Sequence, residues 1–379
     1  MHFQFTEEQT LIQDMARQFA DSELAPHSAR WDEEKCLDRG VFERAAALGF
    51  MGIYTGEEHG GTALSRLDSA LVFEQLARGD VSHTAMMTIH NMATWMIDRY
   101  GSDDLRAKYV PKLTAGEFIA SYCLTEPGAG SDAAALSTKA TKEGEDYILN
   151  GSKSFISGAG WSDVYVVMAR TSDDGARGVS CFVVEKDMPG LSFGANERKM
   201  GWNAQPTAQV IFEDCRVPAT NRVGAEGDGF RFAMSGLDGG RVNIGACSLG
   251  GAQKALDVTL DYTRERKQFG KAVADFQNTQ FMLADMATEL EASRLMLYRA
   301  ANMVDESAPN AGQYCAMAKR YATDACSKIA NDALQLHGGY GYLKDYPVEQ
   351  IVRDLRVHQI LEGTNQIMRV IISRGLLRQ

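Results

Sequence analysis

The sequence predicts an α+β chain in three parts: an N-terminal helical domain, a compact middle β domain and a C-terminal four-helix bundle. Two observations carry this. Apolar residues recur at helical spacing up to about residue 118 and again beyond 227, whereas between them short β-branched and aromatic runs alternate with Gly, Asp and Pro. A third is size: 379 residues at 45% apolar content suffice for two or three cores. The predicted boundaries are 1–118, 119–226 and 227–379.

In the first part, Thr6-Glu7-Glu8-Gln9 forms a capping-box pattern, and Leu11, Met15 and Phe19 follow at four-residue intervals until Pro26. Residues 67–77 and 85–100 repeat the spacing, with Gly101 as a stop. In the middle part, Asn150-Gly151 after Tyr147-Ile148-Leu149 reads as a hairpin turn, since both residues tolerate positive φ. The runs 164–168, 179–184 and 209–212 read as strands. In the last part, helices are predicted over 230–267, 278–304, 312–336 and 364–377, an antiparallel bundle.

The formal net charge of −11 argues against nucleic acid as a partner, because phosphate binding needs basic surface. No run of about 18 apolar residues exists, so no membrane insertion is expected. The opening residues Met1 to Gln9 read as neither export signal nor transit peptide. Seven cysteines without CxxC spacing point to free thiols in a reducing compartment, and no zinc site is expected.

Five segments carry candidate chemistry. Tyr122-Cys123-Leu124-Thr125-Glu126-Pro127-Gly128-Ala129-Gly130-Ser131-Asp132 takes a strand into a glycine-rich loop, where backbone amides can approach a flat ring or phosphate. An ordinary tight turn fits the same residues. Phe155-Ile156-Ser157-Gly158 offers an aromatic face and a hydroxyl, or is simply a strand. Arg264 to Gly270, with Phe276-Gln277 behind, offers a guanidinium fork for pyrophosphate, with Gly270 as a helix C-cap. Gln335-Leu336-His337-Gly338-Gly339 ends a helix in glycines with free amides, and Asp238-Gly239-Gly240-Arg241 is read as opening a long helix. Last, Glu362 follows Ile360 and Leu361; it is either a surface residue ending a helix or a carboxylate desolvated by that apolar shoulder and so made more basic.

Together and in this order, YCLTEPGAGSD, RKQFGK, QLHGGYGY and ILEGTNQIMR resemble the signatures of the acyl-CoA dehydrogenase family across essentially the whole chain. The resemblance implies that family's fold, with a barrel-like middle domain, and FAD as cofactor. FAD would be held by Tyr122, Leu124, Thr125, Gly130, Ser131, Phe155, Ile156 and Ser157. Arg266, Phe276, Gln277, Gln335, Leu336, His337, Gly338 and Gly339 would reach it from a neighbouring subunit of a homotetramer, a dimer of dimers. Thr364, Asn365 and Gln366 would complete the site. Acyl-CoA would meet Ser131, Asp238, Gly239, Gly240, Arg241 and Arg374, and Glu362 matches the family's α-proton base, with β-hydride passing to flavin N5. Electron-transfer flavoprotein is the implied acceptor, and bacterial cytoplasm, or else a processed mitochondrial matrix chain, the implied location.

The stretches Lys199 to Pro206 and Gly341 to Tyr346 resemble family members acting on a short branched acyl group, isobutyryl before butyryl or 2-methylbutyryl. Phe155 and Ser157 depart from the tryptophan and threonine of many relatives, keeping ring and hydroxyl. An oxidase on the same scaffold and a non-catalytic flavoprotein are the competing readings.

Overall fold

The computed structural model describes residues 4–377. Six helices come first: α1 (Glu7–Phe19), α2 (Ser28–Glu34), α3 (Arg39–Ala47), α4 (Arg66–Gly79), α5 (Val81–Tyr100) and α6 (Asp103–Thr114). The Thr6 capping box forms as its sequence requires, with Gln9 N donating to Thr6 Oγ1 and Thr6 N donating to Gln9 Oε1.

The middle part contains β1 (Ala120–Cys123), β2 (Lys139–Glu143), β3 (Asp146–Ser157), β4 (Val164–Arg170), β5 (Val179–Glu185), β6 (Leu191–Phe193), β7 (Thr207–Pro218) and β8 (Arg222–Val223). They join in one eight-stranded sheet of order β6-β7-β3-β2-β4-β5-β8, with β1 parallel to β4. Strand β4 is apolar from Val164 to Ala169 because both its faces are covered. Val164, Val166 and Met168 join a core with α5 and α6, while Tyr165, Val167 and Ala169 fill a second core within the sheet.

Helices return as α7 (Gly229–Glu265), α8 (Gln277–Asp305), α9 (Ala311–His337), α10 (Pro347–Arg356) and α11 (Asn365–Leu377), with a small hairpin of β9 (Lys267–Gln268) and β10 (Lys271–Ala272) between α7 and α8. Helices α7, α8 and α9 pack together, α4 lies on α7, and α10 and α11 lie on α9. One core therefore runs through the N- and C-terminal helices together. Helix α10 was missed by the sequence reading. Its signal is Pro347 at the first helical position and buried Val348, Ile351 and Leu355 at helical spacing.

Two turn assignments are corrected. Asn150-Gly151 makes no hairpin: β3 runs through it, with a register shift against β7 between Leu149 and Gly151. The β2–β3 turn lies at Gly144, whose φ is 61°, because β2 pairs Glu143 with Asp146. Gly151 at φ 144° is a bulge residue. Gly270 likewise caps no helix. Phe269 (φ 50°) and Gly270 (φ 79°) are the two left-handed residues of a tight turn joining β9 to β10.

Candidate active site

Glu362 lies in the short connection between α10 and α11, after a 3-10 turn over Val357–Gln359. It adopts a left-handed conformation, φ 56°, followed by Gly363 at φ 86°. A non-glycine residue there costs about 1–2 kcal/mol, so its surroundings must impose the conformation. They do so from two sides. Lys319 on α9 donates through Nζ to the Gly363 carbonyl at 2.8 Å and to Asn365 Oδ1 at 2.9 Å. Arg241 on α7 reaches the Glu362 carbonyl with Nε at 3.4 Å and holds Asp238 with Nη1 at 2.5 Å.

The carboxylate itself lies on α7, where a Cβ at Gly240 would come within 2.5 Å of Oε2. Oε2 is buried and accepts no hydrogen bond. Burial pushes the Glu362 pKa up to about 7, with Arg241 and then Lys319 pulling the other way. The expected apolar shoulder is corrected in part: Ile360 is 51% exposed, whereas Leu361 is half-buried and packs against the helical core. The α7 glycine face does the rest of the shielding, together with Tyr54 and Tyr122, whose hydroxyls are pushed up by burial and by proximity to Glu362.

Tyr122 closes the site from the sheet. It sits in β1, and its buried hydroxyl has no partner. Beyond it, the loop through Leu124, Thr125, Gly130 and Ser131 is tied to β3. Lys153 Nζ donates to the Leu124 carbonyl at 3.2 Å and Glu126 Oε1 at 2.7 Å, and Ser154 N donates to the Thr125 carbonyl at 2.8 Å. Ser121 Oγ donates to the Ser157 carbonyl at 2.5 Å. The first two sequence motifs therefore form one unit. Phe155 stands at the β3 bulge with φ 58° and 67% exposure, beside Ile156 and Ser157.

The remaining candidates divide. Arg266, Leu336, His337, Gly338 and Gly339 line a separate open cavity of about 410 Å³ with Tyr262 and Tyr340, and the hairpin at its edge leads to Phe276 and Gln277. Among the described residues, no hydrogen bond joins this group to Glu362. His337 is buried and stacked on Tyr262, its Nδ1 held by the Ala333 carbonyl and its own carbonyl accepting from the Tyr262 hydroxyl at 3.2 Å. Asn365 is a structural residue, bonded to Lys319, Thr323 and Asp324, whereas Thr364 Oγ1 caps α11 by accepting from Ile367 N. Gln335 and Gln366 are not buried, and Arg374 is exposed near the end of α11.

The helix-start reading of residues 238–241 is corrected. They lie inside α7, which begins at Gly229, so their amides are already bonded within the helix. Arg241 is buried against Asp238, and what it positions is the backbone of Glu362. Sequence reasoning missed Tyr54, Arg66, Asn243 and Lys319, all beside the glycine face or Glu362. Nothing in their neighbourhoods along the chain marks them, because the folding of distant helices brings them together.

The residues fit a flavin with an acyl thioester. The Tyr122 hydroxyl and Glu362 Oε2 are both buried without a partner, Phe155 offers an open ring, and at Gly128, Gly130, Gly338 and Gly339 a Cβ would meet nothing within 4 Å. Such a sheet loop and bundle carboxylate define a class, and comparison with known proteins agrees. Acyl-CoA dehydrogenase N-terminal, middle and C-terminal domains match residues 6–117, 121–215 and 227–377. The chain belongs to the acyl-CoA dehydrogenase family, whose members are flavoprotein oxidoreductases. It is 57% identical to the mitochondrial isobutyryl-CoA dehydrogenase of Dictyostelium discoideum, over 98% of this chain and 89% of that one. It is 56% identical to the Bos taurus enzyme of the same name, over 99% and 90%. A solved structure reported for the electron transferring flavoprotein of Acidaminococcus fermentans superposes with a TM-score of 0.98 at 43% identity, covering both chains fully. No helix among the described residues is long and apolar enough to cross a membrane.

Proposed function

We propose that the protein binds FAD and dehydrogenates a short branched acyl-CoA, isobutyryl-CoA to methacrylyl-CoA, as in valine breakdown. The observation that carries this is Glu362: a half-buried residue whose carboxylate Oε2 is buried without a hydrogen-bond partner, with its pKa raised to about 7. A thioester α-proton is weakly acidic, so its base must be desolvated and held still. Glu362 abstracts that proton. Lys319 and Arg241 fix the turn that presents it, and Tyr54 and Tyr122 keep water from it.

Bound FAD supplies the two-electron acceptor for the hydride leaving the β-carbon. Tyr122, Leu124, Thr125, Gly130 and Ser131, with Phe155, Ile156 and Ser157, hold it from the sheet, and Thr364 and Gln366 complete the same side. Arg266, Phe276, Gln277 and the backbone of 335–339 serve a neighbouring subunit, a role supported by their separation from Glu362 within one chain and by the 94% exposure of Phe269 beside them. The assembly is a homotetramer, and Ser131, Gly239 and Arg374 serve the acyl-CoA. Electron-transfer flavoprotein takes the electrons, a role supported by the likeness to the Acidaminococcus structure. Unpaired cysteines suit the reducing bacterial cytoplasm.

The test is anaerobic titration of the purified yellow protein with isobutyryl-, butyryl-, 2-methylbutyryl- and isovaleryl-CoA, following flavin bleaching. Isobutyryl-CoA bleaches fastest on this reading. Slower bleaching than with the others would remove the substrate assignment, and no bleaching with any would remove the activity. Glu362→Gln should stay yellow and bind ligand but lose turnover, with a barrier increase on the order of several kcal/mol.

A further inference from the structure

The glycine pair on α7 serves two side chains. A Cβ on Gly240 would meet Glu362 Oε2, and one on Gly239 would come within 2.6 Å of Arg66 Nη1. Arg66, the first residue of α4, is only 7% exposed, and its Nη1 has no hydrogen-bond partner. Among the described residues no carboxylate pairs with its guanidinium; Asp305 takes its backbone N–H instead, at 2.7 Å. The guanidinium is held by aromatic rings, with Cζ 3.5 Å from the Tyr54 centroid and 4.9 Å from that of Trp95. Arg66 and Glu362 thus stand over consecutive glycines of α7, with Tyr54 stacked on the guanidinium.

Asn243 completes the cluster. It lies one helical turn beyond Gly239 and Gly240 on α7, donates through Nδ2 to the Tyr54 hydroxyl at 3.1 Å, and leaves Oδ1 buried without a partner. A donor at the neighbouring glycine and an acceptor one turn further along α7, both buried and both unpaired, therefore lie on the helix that carries the base's glycine. A hydrocarbon-binding pocket has no need of either. Apolar carbon driven against them would remove water, the partner that remains to them, and buried polar groups without partners are strongly disfavoured.

We propose that Arg66, with Asn243, forms the end wall of the acyl pocket and sets its specificity: a short branched acyl group stops before the wall, and a longer straight chain is rejected by it. This rests on the dehydrogenase reading above. Tyr54 positions the wall by holding the guanidinium on one face and the Asn243 amide at its hydroxyl.

The test compares kcat/KM for hexanoyl-CoA and isobutyryl-CoA on single preparations of the FAD-loaded wild type, Arg66→Met and Arg66→Lys. A ratio within one preparation does not depend on how much of it has folded. Arg66→Met keeps the length of the side chain and removes the polar head, so the ratio should move about tenfold or more toward hexanoyl-CoA, the scale of one or two methylenes in a pocket. Arg66→Lys should stay close to wild type. If Arg66→Met yields no folded protein, Asn243→Leu should shift the ratio in the same direction. An unmoved ratio in Arg66→Met, or in Asn243→Leu where that variant stands in for it, overturns the proposal. So does tighter binding of a dicarboxylic acyl-CoA than of its monocarboxylic counterpart by the wild type, since the guanidinium would then be an anion receptor. A wild type that no acyl-CoA bleaches strikes the dehydrogenase reading itself, whereas an active wild type with an unmoved variant ratio strikes only the wall.

Discussion

Glu362 Oε2 rests on the backbone of Gly240, where a β-carbon would intrude to 2.5 Å. The contact joins the last loop of the bundle to the first third of its longest helix. It also explains why a glycine, poor as a helix former, stands inside α7.

Gly240→Ala should preserve the helix and displace the carboxylate. Alanine is the better helix former by about 1 kcal/mol, which offsets part of the clash. We expect a folded, yellow protein whose kcat falls on the order of a hundredfold with little change in ligand affinity, since a displacement of about 1 Å in a reacting group has that scale. Steady-state kinetics with a parallel melting curve would check it.

The pH dependence follows from the raised pKa of Glu362, about 7. The base works ionised, so kcat/KM should rise with pH through about 7 and level off above it. Lys319 favours the ionised form. Lys319→Met should therefore move that acidic limb to higher pH while also lowering kcat, because the Gly363 carbonyl loses its donor. A limb that stayed in place would show that another group governs the profile.

Stability should carry the opposite sign. Between the ordinary carboxyl pKa of 4.5 and about 7 the folded protein holds a proton on Glu362 that the unfolded chain has released. Stability from this group therefore falls as pH rises across that window, by roughly 1.4 kcal/mol for each pH step of one between the two values. Glu362→Gln cannot ionise, so its Tm should gain on wild type between pH 5 and pH 8. A constant difference across that range would argue against a desolvated carboxylate.

Lys153 and Glu126 form a buried pair beneath the glycine-rich loop. Burial works to raise the Glu126 pKa, yet Lys153 and the donors of Ser137 and Thr138 hold it at about 2. Lys153→Met should cost about 3–5 kcal/mol by leaving a charge buried alone, and should weaken FAD retention. Adding Glu126→Leu should restore part of the stability but not the FAD retention, since the loop remains unpinned. Denaturant titration and flavin content after gel filtration would separate the two effects.

Local patterns were legible in the sequence where one interaction dominates. The Thr6 capping box, the apolar run of β4 and the Gly101 stop each follow from neighbours along the chain. The turn assignments failed where a longer-range pairing overrode a local preference. Asn150-Gly151 was absorbed as a bulge because β3 gains more by pairing onward with β7 than by turning back. Phe269-Gly270 turned a hairpin rather than ending a helix, since α7 already stops at Glu265.

The sequence by itself determined the three-part α–β–α order, the family and the candidate base, because periodicity and contiguous motifs are properties of neighbouring residues. Only the tertiary structure decided what makes Glu362 basic. Of its apolar shoulder Ile360 is half exposed and only Leu361 packs inward, and the rest of the burial comes from Gly240, Tyr54 and Tyr122, brought in from α7, the segment before α4, and β1. Desolvation depends on what surrounds a group in space, and a chain's spacing records that only where the surroundings are also close in sequence.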